Sequence, residues 1–331
     1  MRTVFVIGAG ASKEFGFPVG PGLQDLIRRR ISPESHPNKE SRELELLYGP
    51  LSDRGLSYGE QYDLFRWFGR TLPLANSIDS FLEDQSEPND PISFLGKYFI
   101  AKLIAEAERS SPLYIKRNDF PDFGLLSKTW LGKFWAKLNR GGAARITEKS
   151  FDDIAFVTFN YDRCIEQFLS LACQSYYRMD RRTAADFVRA VTIHHVYGSL
   201  GDPFQGGDGL LFGEGEHPHE VFYPSERIMT YSERVGSDHL SNIATSMNSA
   251  EQIVFLGFSY APINQRLLDR ADQSDSLRSV LGTSYQMSQA DHERATQWCD
   301  RTFRRGNSGA QLQNVTAAEF FEQNALLFGE R

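Results

Sequence analysis

Thr3-Val4-Phe5-Val6-Ile7-Gly8-Ala9-Gly10-Ala11-Ser12 joins a β-branched and aromatic run to a glycine cluster. Such a run reads as a strand buried on both faces, and the glycines read as the tight turn that leads from it into a helix. Gly16-Phe17-Pro18 and Gly20-Pro21-Gly22 follow, then Leu23, Leu26 and Ile27 at helical spacing, closing on Arg28-Arg29-Arg30. Cations at that place complement the negative end of a helix.

The same order, strand then polar turn then helix, recurs at Ile154-Ala155-Phe156-Val157-Thr158, Phe159-Asn160-Tyr161-Asp162 and the spaced Ile165, Phe168 and Leu169. Further runs at 190–197, 253–256 and 279–281 alternate with helical periods at 238–247, 263–270 and 289–300. Repetition of this kind predicts an α/β fold, a Rossmann-like doubly wound parallel sheet. Between 41 and 150 the pattern is helical throughout, broken by Pro, Asn and Gly. The predicted organisation is therefore an α/β domain from 1–40 and 151–331 with a helical insertion at 41–150. Residues 201–220, rich in Gly, Asp, Glu and His and lacking an apolar period, read as a long exposed loop or lid.

Composition narrows the function classes. A chain of 331 residues with net charge −7 lacks the broad cationic surface that neutralises phosphates, so direct nucleic-acid binding is not expected. The short apolar run after Met1 is no secretory signal and no stretch reaches the length of a membrane span, so a cytoplasmic location is expected. Cys164, Cys173 and Cys299 are scattered, without the paired spacing of a thiolate zinc site. His217 and His219, flanked by Glu216 and Glu220, lack further spaced ligands, and no metal is expected. Asp79 reads as the start of a helix.

Gly8 and Gly10 permit a sharp turn and let backbone N–H groups approach a pyrophosphate, and Ser12 adds a hydroxyl donor. Lys13 occupies the place of the third glycine in the dehydrogenase fingerprint, and no acidic residue ends a second strand about twenty residues on, which disfavours an ordinary dehydrogenase. Asn160 sits where a strand ends, the place at which open α/β sheets bind ligands; capping the following helix needs only one of the two polar residues of the turn, and Asp162 takes that structural role. His195 and Tyr197, two apart on a strand, share one face and His194 takes the other.

Gly8-Ala9-Gly10-Ala11-Ser12 with Gly16-Phe17-Pro18, then Thr158-Phe159-Asn160-Tyr161-Asp162, His195-Val196-Tyr197-Gly198-Ser199-Leu200 and Gly257-Phe258-Ser259 resemble, in order, the sirtuin motifs Gly-Ala-Gly-x-Ser, Thr-Gln-Asn-Ile-Asp, His-Gly and Gly-Thr-Ser. Lacking a four-cysteine zinc module, the chain resembles the sirtuin-like NADases of bacterial anti-phage defence rather than the deacetylases. The resemblance implies cleavage of NAD, as substrate, to nicotinamide and ADP-ribose or its cyclic form. It also implies that Gly8, Ala9, Gly10, Ala11, Ser12, Phe17 and Pro18 hold the cofactor's phosphate side, with Gly257 and Ser259 across the cleft. Asn160, Asp162, Tyr197 and Gly198 would complete the site, and Asn160 would fix the nicotinamide ribose or the attacking water. The histidine that precedes the glycine in sirtuins is Tyr197 here, which leaves His195 as the candidate base. The resemblance further implies an effector that acts beside a separate sensor, such as a HerA-like ATPase or a short Argonaute, or that responds to a signalling nucleotide, and a homo-oligomer is expected. The competing expectation is a nucleotide-binding scaffold that has lost its chemistry and assembles with a partner.

Overall fold

The computed structural model describes residues 2–31, 42–85, 87, 90–116, 119–139, 148–207, 209–231, 233, 238–271, 278–303 and 309–324. The predicted boundary at 40 and 41 lies outside them. The chain divides into two compact units, one formed by Met1–Phe17, Ser111–Val196 and Val235–Arg331, the other by Pro18–Ser110 and Tyr197–Arg234.

The first unit is built on a six-stranded sheet with the order β3-β2-β1-β4-β5-β6. The strands are β1 (Thr3–Ile7), β2 (Ile154–Thr158), β3 (Thr192–His195), β4 (Gln252–Leu256), β5 (Ser279–Thr283) and β6 (Gln311–Gln313). Every pairing is parallel, with Phe5 beside Phe156 on β2 and beside Val254 on β4. This is the Rossmann-like doubly wound order. The direction in which successive strands are added reverses between β1 and β4, so the carboxyl ends of those parallel strands form the crevice where such sheets take ligands.

Side-chain alternation assigns the helices to faces. Phe5 and Phe156 stack at 5.5 Å, and Phe134 of α8 (Trp130–Leu138) meets both rings edge-on at 5.6 Å. Phe321 of α15 (Ala317–Gln323) reaches Phe5 at 6.2 Å on the same face. On the opposite face Phe255 meets Trp298 and Phe303 of α14 (Gln289–Phe303) at 5.8 and 5.6 Å. With both faces covered, β1, β2 and β4 are buried along their whole length, which is why their sequences run apolar instead of alternating.

The second unit carries α2 (Gly20–Ile31), α3 (Arg42–Asp53), α4 (Tyr58–Thr71), α5 (Ile78–Gln85), α6 (Pro91–Ser110) and α11 (Phe222–Ser225). Helix α6 is buried along most of its length, and its charged residues therefore need partners. Lys97 pairs with Glu233 at 2.7 Å, and Lys102 donates to the carbonyls of Gly215 and Glu216 at 2.9 and 2.7 Å. Glu108 accepts from the Gly213 N–H, and Arg109 donates to the Gly213 carbonyl.

The compact units are drawn differently from the predicted domain limits. Residues 20–31 fall with the helices, 111–139 fall with the sheet because Phe134 packs on Phe5, and 197–234 join the helical unit. The segment expected as an exposed loop or lid is instead tied down by α6, with Leu210 and Phe212 buried. Among the described residues no helix is long and apolar enough to cross a membrane.

Candidate functional site

The turn after β1 and the turn after β4 meet backbone to backbone. Gly8 N–H donates to Leu256 O and Gly10 N–H donates to Gly257 O, each at 3.0 Å. A Cβ on Gly8 would lie 2.5 Å from Gly257 O, and one on Gly10 would lie 2.9 Å from the same atom. The glycines are thus required by the contact between turns, and the amides of 8 and 10, expected to hold phosphates, are already donating within the protein. Helix α1 (Ala9–Ser12) follows, with Gly10 exposed and Ala9 half-buried. Ala11 is buried.

Ser12 differs in the same way from its expected role as an open hydroxyl donor. It is buried, accepts from Asn160 Nδ2 at 2.8 Å, and bonds the Asp162 carboxyl. Asp162 also accepts from the Cys164 N–H at 3.1 Å and so caps α9 (Cys164–Tyr176). Burial raises the Asp162 carboxyl above its ordinary range against the bonds from Cys164 and Ser12. Of the two polar residues in the turn, the cap is therefore Asp162.

Asn160 is left with a different geometry. Its Nδ2 donates to Gly8 O at 3.1 Å as well as to Ser12, and its own N–H donates to Thr158 Oγ1. The side chain is buried, yet among the described residues Oδ1 has no hydrogen-bond partner. A buried acceptor without a donor is costly unless something supplies one. With both Nδ2 bonds made to acceptors, the amide orientation that leaves the oxygen unpaired is fixed by its neighbours.

His195 lies on the α9 side of the sheet, and His194 on the other side bonds Ser246 of α12 (Asp238–Asn248) at 2.9 Å. His195 Nε2 is 2.6 Å from Glu166 Oε1, and Nδ1 is 3.2 Å from the Asn160 carbonyl. Burial opposes the charged imidazole, but the Glu166 carboxylate and these bonds outweigh it and raise the pKa above the ordinary 6.5. Both ring nitrogens lie within hydrogen-bond distance of protein oxygens, an arrangement that favours the charged ring. The ring expected to act as a general base is thus engaged on both sides by the protein, by Glu166 and by the Asn160 carbonyl. Glu166, which sequence reasoning missed, is the second member of this pair. The one visible sign was an acidic residue in the first turn of a helix beginning next to Asn160.

The remaining expected residues divide between the units. Gly257 lies at φ +57 and Ser259 is exposed beside it. Thr283 Oγ1 accepts from the Gly257 N–H at 2.8 Å, and the Tyr260 hydroxyl donates to the Thr283 carbonyl at 3.3 Å, which shapes the β4 turn. Phe17 is buried in the sheet unit, where its N–H donates to Ser12 O. Pro18, Tyr197 and Gly198 belong to the helical unit, where Tyr197 is buried and its carbonyl accepts from Met229 N–H. His217 and His219, also in that unit, stack in parallel at 5.7 Å.

Compared with family models and with curated proteins, the sequence matches none.

Proposed function

We propose that the protein is an NAD glycohydrolase whose reacting ribose is met by Asn160 at the carboxyl end of β2. The observation that carries this reading is the buried, unpartnered Oδ1 of Asn160, whose amide is fixed by Gly8 and Ser12 beside the switch point of the sheet. An acceptor so fixed suits a ribose hydroxyl or a water proton. In the reaction the bond between nicotinamide and ribose breaks, the nitrogen takes the bonding pair and leaves as neutral nicotinamide, and water adds to the cationic sugar carbon with loss of one proton. A leaving group that departs neutral needs no acid. The water attacking an oxocarbenium-like centre needs orientation more than a strong base, which fits a site whose histidine is a donor.

The sirtuin-like motifs support NAD as the substrate and suggest a toxic effector restrained by a sensor, such as a HerA-like ATPase, or by self-assembly. The second reading, a nucleotide-binding scaffold, is favoured by one feature: both nitrogens of His195 are spent inside the protein. Incubation of purified protein with NAD, following nicotinamide by chromatography and NAD binding by calorimetry, tests the two. Release by the wild type that is lost in Asn160→Ala supports the glycohydrolase. Binding without release supports the scaffold.

A further inference from the structure

The Glu166–His195 pair takes no part in the bond cleavage as written, yet it is built into the site. Both side chains are nearly buried, at 12% and 13% exposure, and the imidazole spans two acceptors. One is Glu166 Oε1 and the other is the main-chain oxygen of Asn160, the residue whose side chain presents the unpartnered oxygen. Both bonds can be donated at once only by a ring carrying two protons.

We infer that Glu166 and His195 are positioning residues: the imidazolium fixes the peptide plane of Asn160, and with it the aim of Oδ1, while Glu166 keeps the ring charged and in place. This inference rests on the proposed role of Asn160. The other restraints on that residue come from Thr158 at the end of its own strand and from Gly8 and Ser12 after β1. Among the described residues, the His195 bond is the one that ties the Asn160 backbone to β3 and, through Glu166, to α9.

The charged groups around the ring agree with this. Glu166 from α9 and Asp162 from the turn before it both favour the imidazolium. His194, next along the strand, is pushed below its ordinary value by its own burial and by the His195 charge, so it does not compete for the proton. A ring whose pKa is raised on folding contributes its full stabilisation below the unfolded value and loses it as pH rises through the folded value. The site therefore loosens on the alkaline side while the fold persists.

The test compares the pH dependence of nicotinamide release by wild type, Glu166→Gln and His195→Gln, each also combined with Asn160→Ala, with the His195 ring titrated by NMR. Glu166→Gln keeps an acceptor for Nε2–H and removes the charge. Its expected effects are a His195 titration and an alkaline limb displaced to lower pH, and a kcat reduced about tenfold with KM changed less than about threefold, the pattern of an interaction made mainly in the transition state. Adding either substitution to Asn160→Ala should cost nothing further, because the pair acts through that residue.

If Asn160→Ala abolishes release while both variants keep the wild-type kcat and pH limb, the positioning inference falls and the reading of Asn160 stands. If Asn160→Ala has no effect, the reading of the site falls, and the pair is judged by hydrogen exchange of residues 158–163 at one pH. Faster exchange there in both variants, with unchanged global unfolding, upholds the positioning of the Asn160 backbone. Unchanged exchange overturns it.

Discussion

Replacing Gly257 by alanine should separate the two turns on which the site is built. An ideal Cβ at this position falls 2.0 Å from Ala11 N and 2.5 Å from Gly10 C, both backbone atoms that no rotamer change can move aside. The residue also sits at φ +57, where a side chain costs about 1 kcal/mol or somewhat more. Forced backbone displacement in a packed region adds about 1–3 kcal/mol. Losing the bond from Gly10 N–H to Gly257 O, 3.0 Å long, adds about 1 kcal/mol. The total of about 3–5 kcal/mol is a large part of an ordinary domain's stability. Gly16 provides the internal control: it lies at φ +89 with nothing within 4 Å of its would-be Cβ, so Gly16→Ala carries the conformational cost alone, about 1–2 kcal/mol. Urea denaturation, read by midpoint and slope, measures both. Equal losses in the two variants would show that the turns do not rest on one another as described.

Two further perturbations probe Asp162, which is buried, and Glu14, which is half-buried. Asp162 is raised above its ordinary 3.8 by burial, so the folded state holds its proton more tightly than the unfolded chain, and this group's contribution to stability declines as pH rises from 3.8 through the folded value. Asp162→Asn retains an acceptor for the Cys164 N–H and should flatten that decline in urea midpoints taken across the acid range; an unchanged slope would exclude the burial effect. Glu14, in the turn that continues α1, accepts from Trp130 N–H at 2.7 Å through one oxygen and from Ala318 N–H at 2.8 Å through the other. Glu14→Gln can serve only one of these helix starts through its single oxygen, and thermal unfolding should show a loss of about 1–3 kcal/mol; wild-type stability would mean that water replaces the second bond at no cost.

What the sequence discloses depends on how local each cause is. Strand β1 and its turn were legible because β-branched residues and glycines act within a few positions. The opposed faces of His194 and His195 were legible from strand alternation alone. The strand order and the membership of α8 were not, because helical periodicity is the same whether Phe134 packs on another helix or on Phe5. Strand β6 escaped notice because Gln311-Leu312-Gln313 is a short, partly exposed edge with no apolar run. Helix α15 did leave a signal, the capping pair Thr316 and Glu319 ahead of Phe320 and Phe321. In the site, a turn with two polar residues showed that one would cap α9 and one would be spare. The partner of His195 was hidden because Glu166 lies 29 positions before it in the chain. The consumption of the Gly8 and Gly10 amides was hidden for the same reason, since their acceptors lie on β4 and its turn, far along the chain.

A single-turnover reaction with NAD in ¹⁸O-enriched water, with the products followed by mass spectrometry, bears most directly on the role given to Asn160. Expected are nicotinamide release with one ¹⁸O entering each ADP-ribose, and a rate lower by about a hundredfold in Asn160→Ala, the scale seen when a preorganised polar group is removed from a transition state. Intact NAD in both reactions, or equal rates with and without the Asn160 carboxamide, would contradict it.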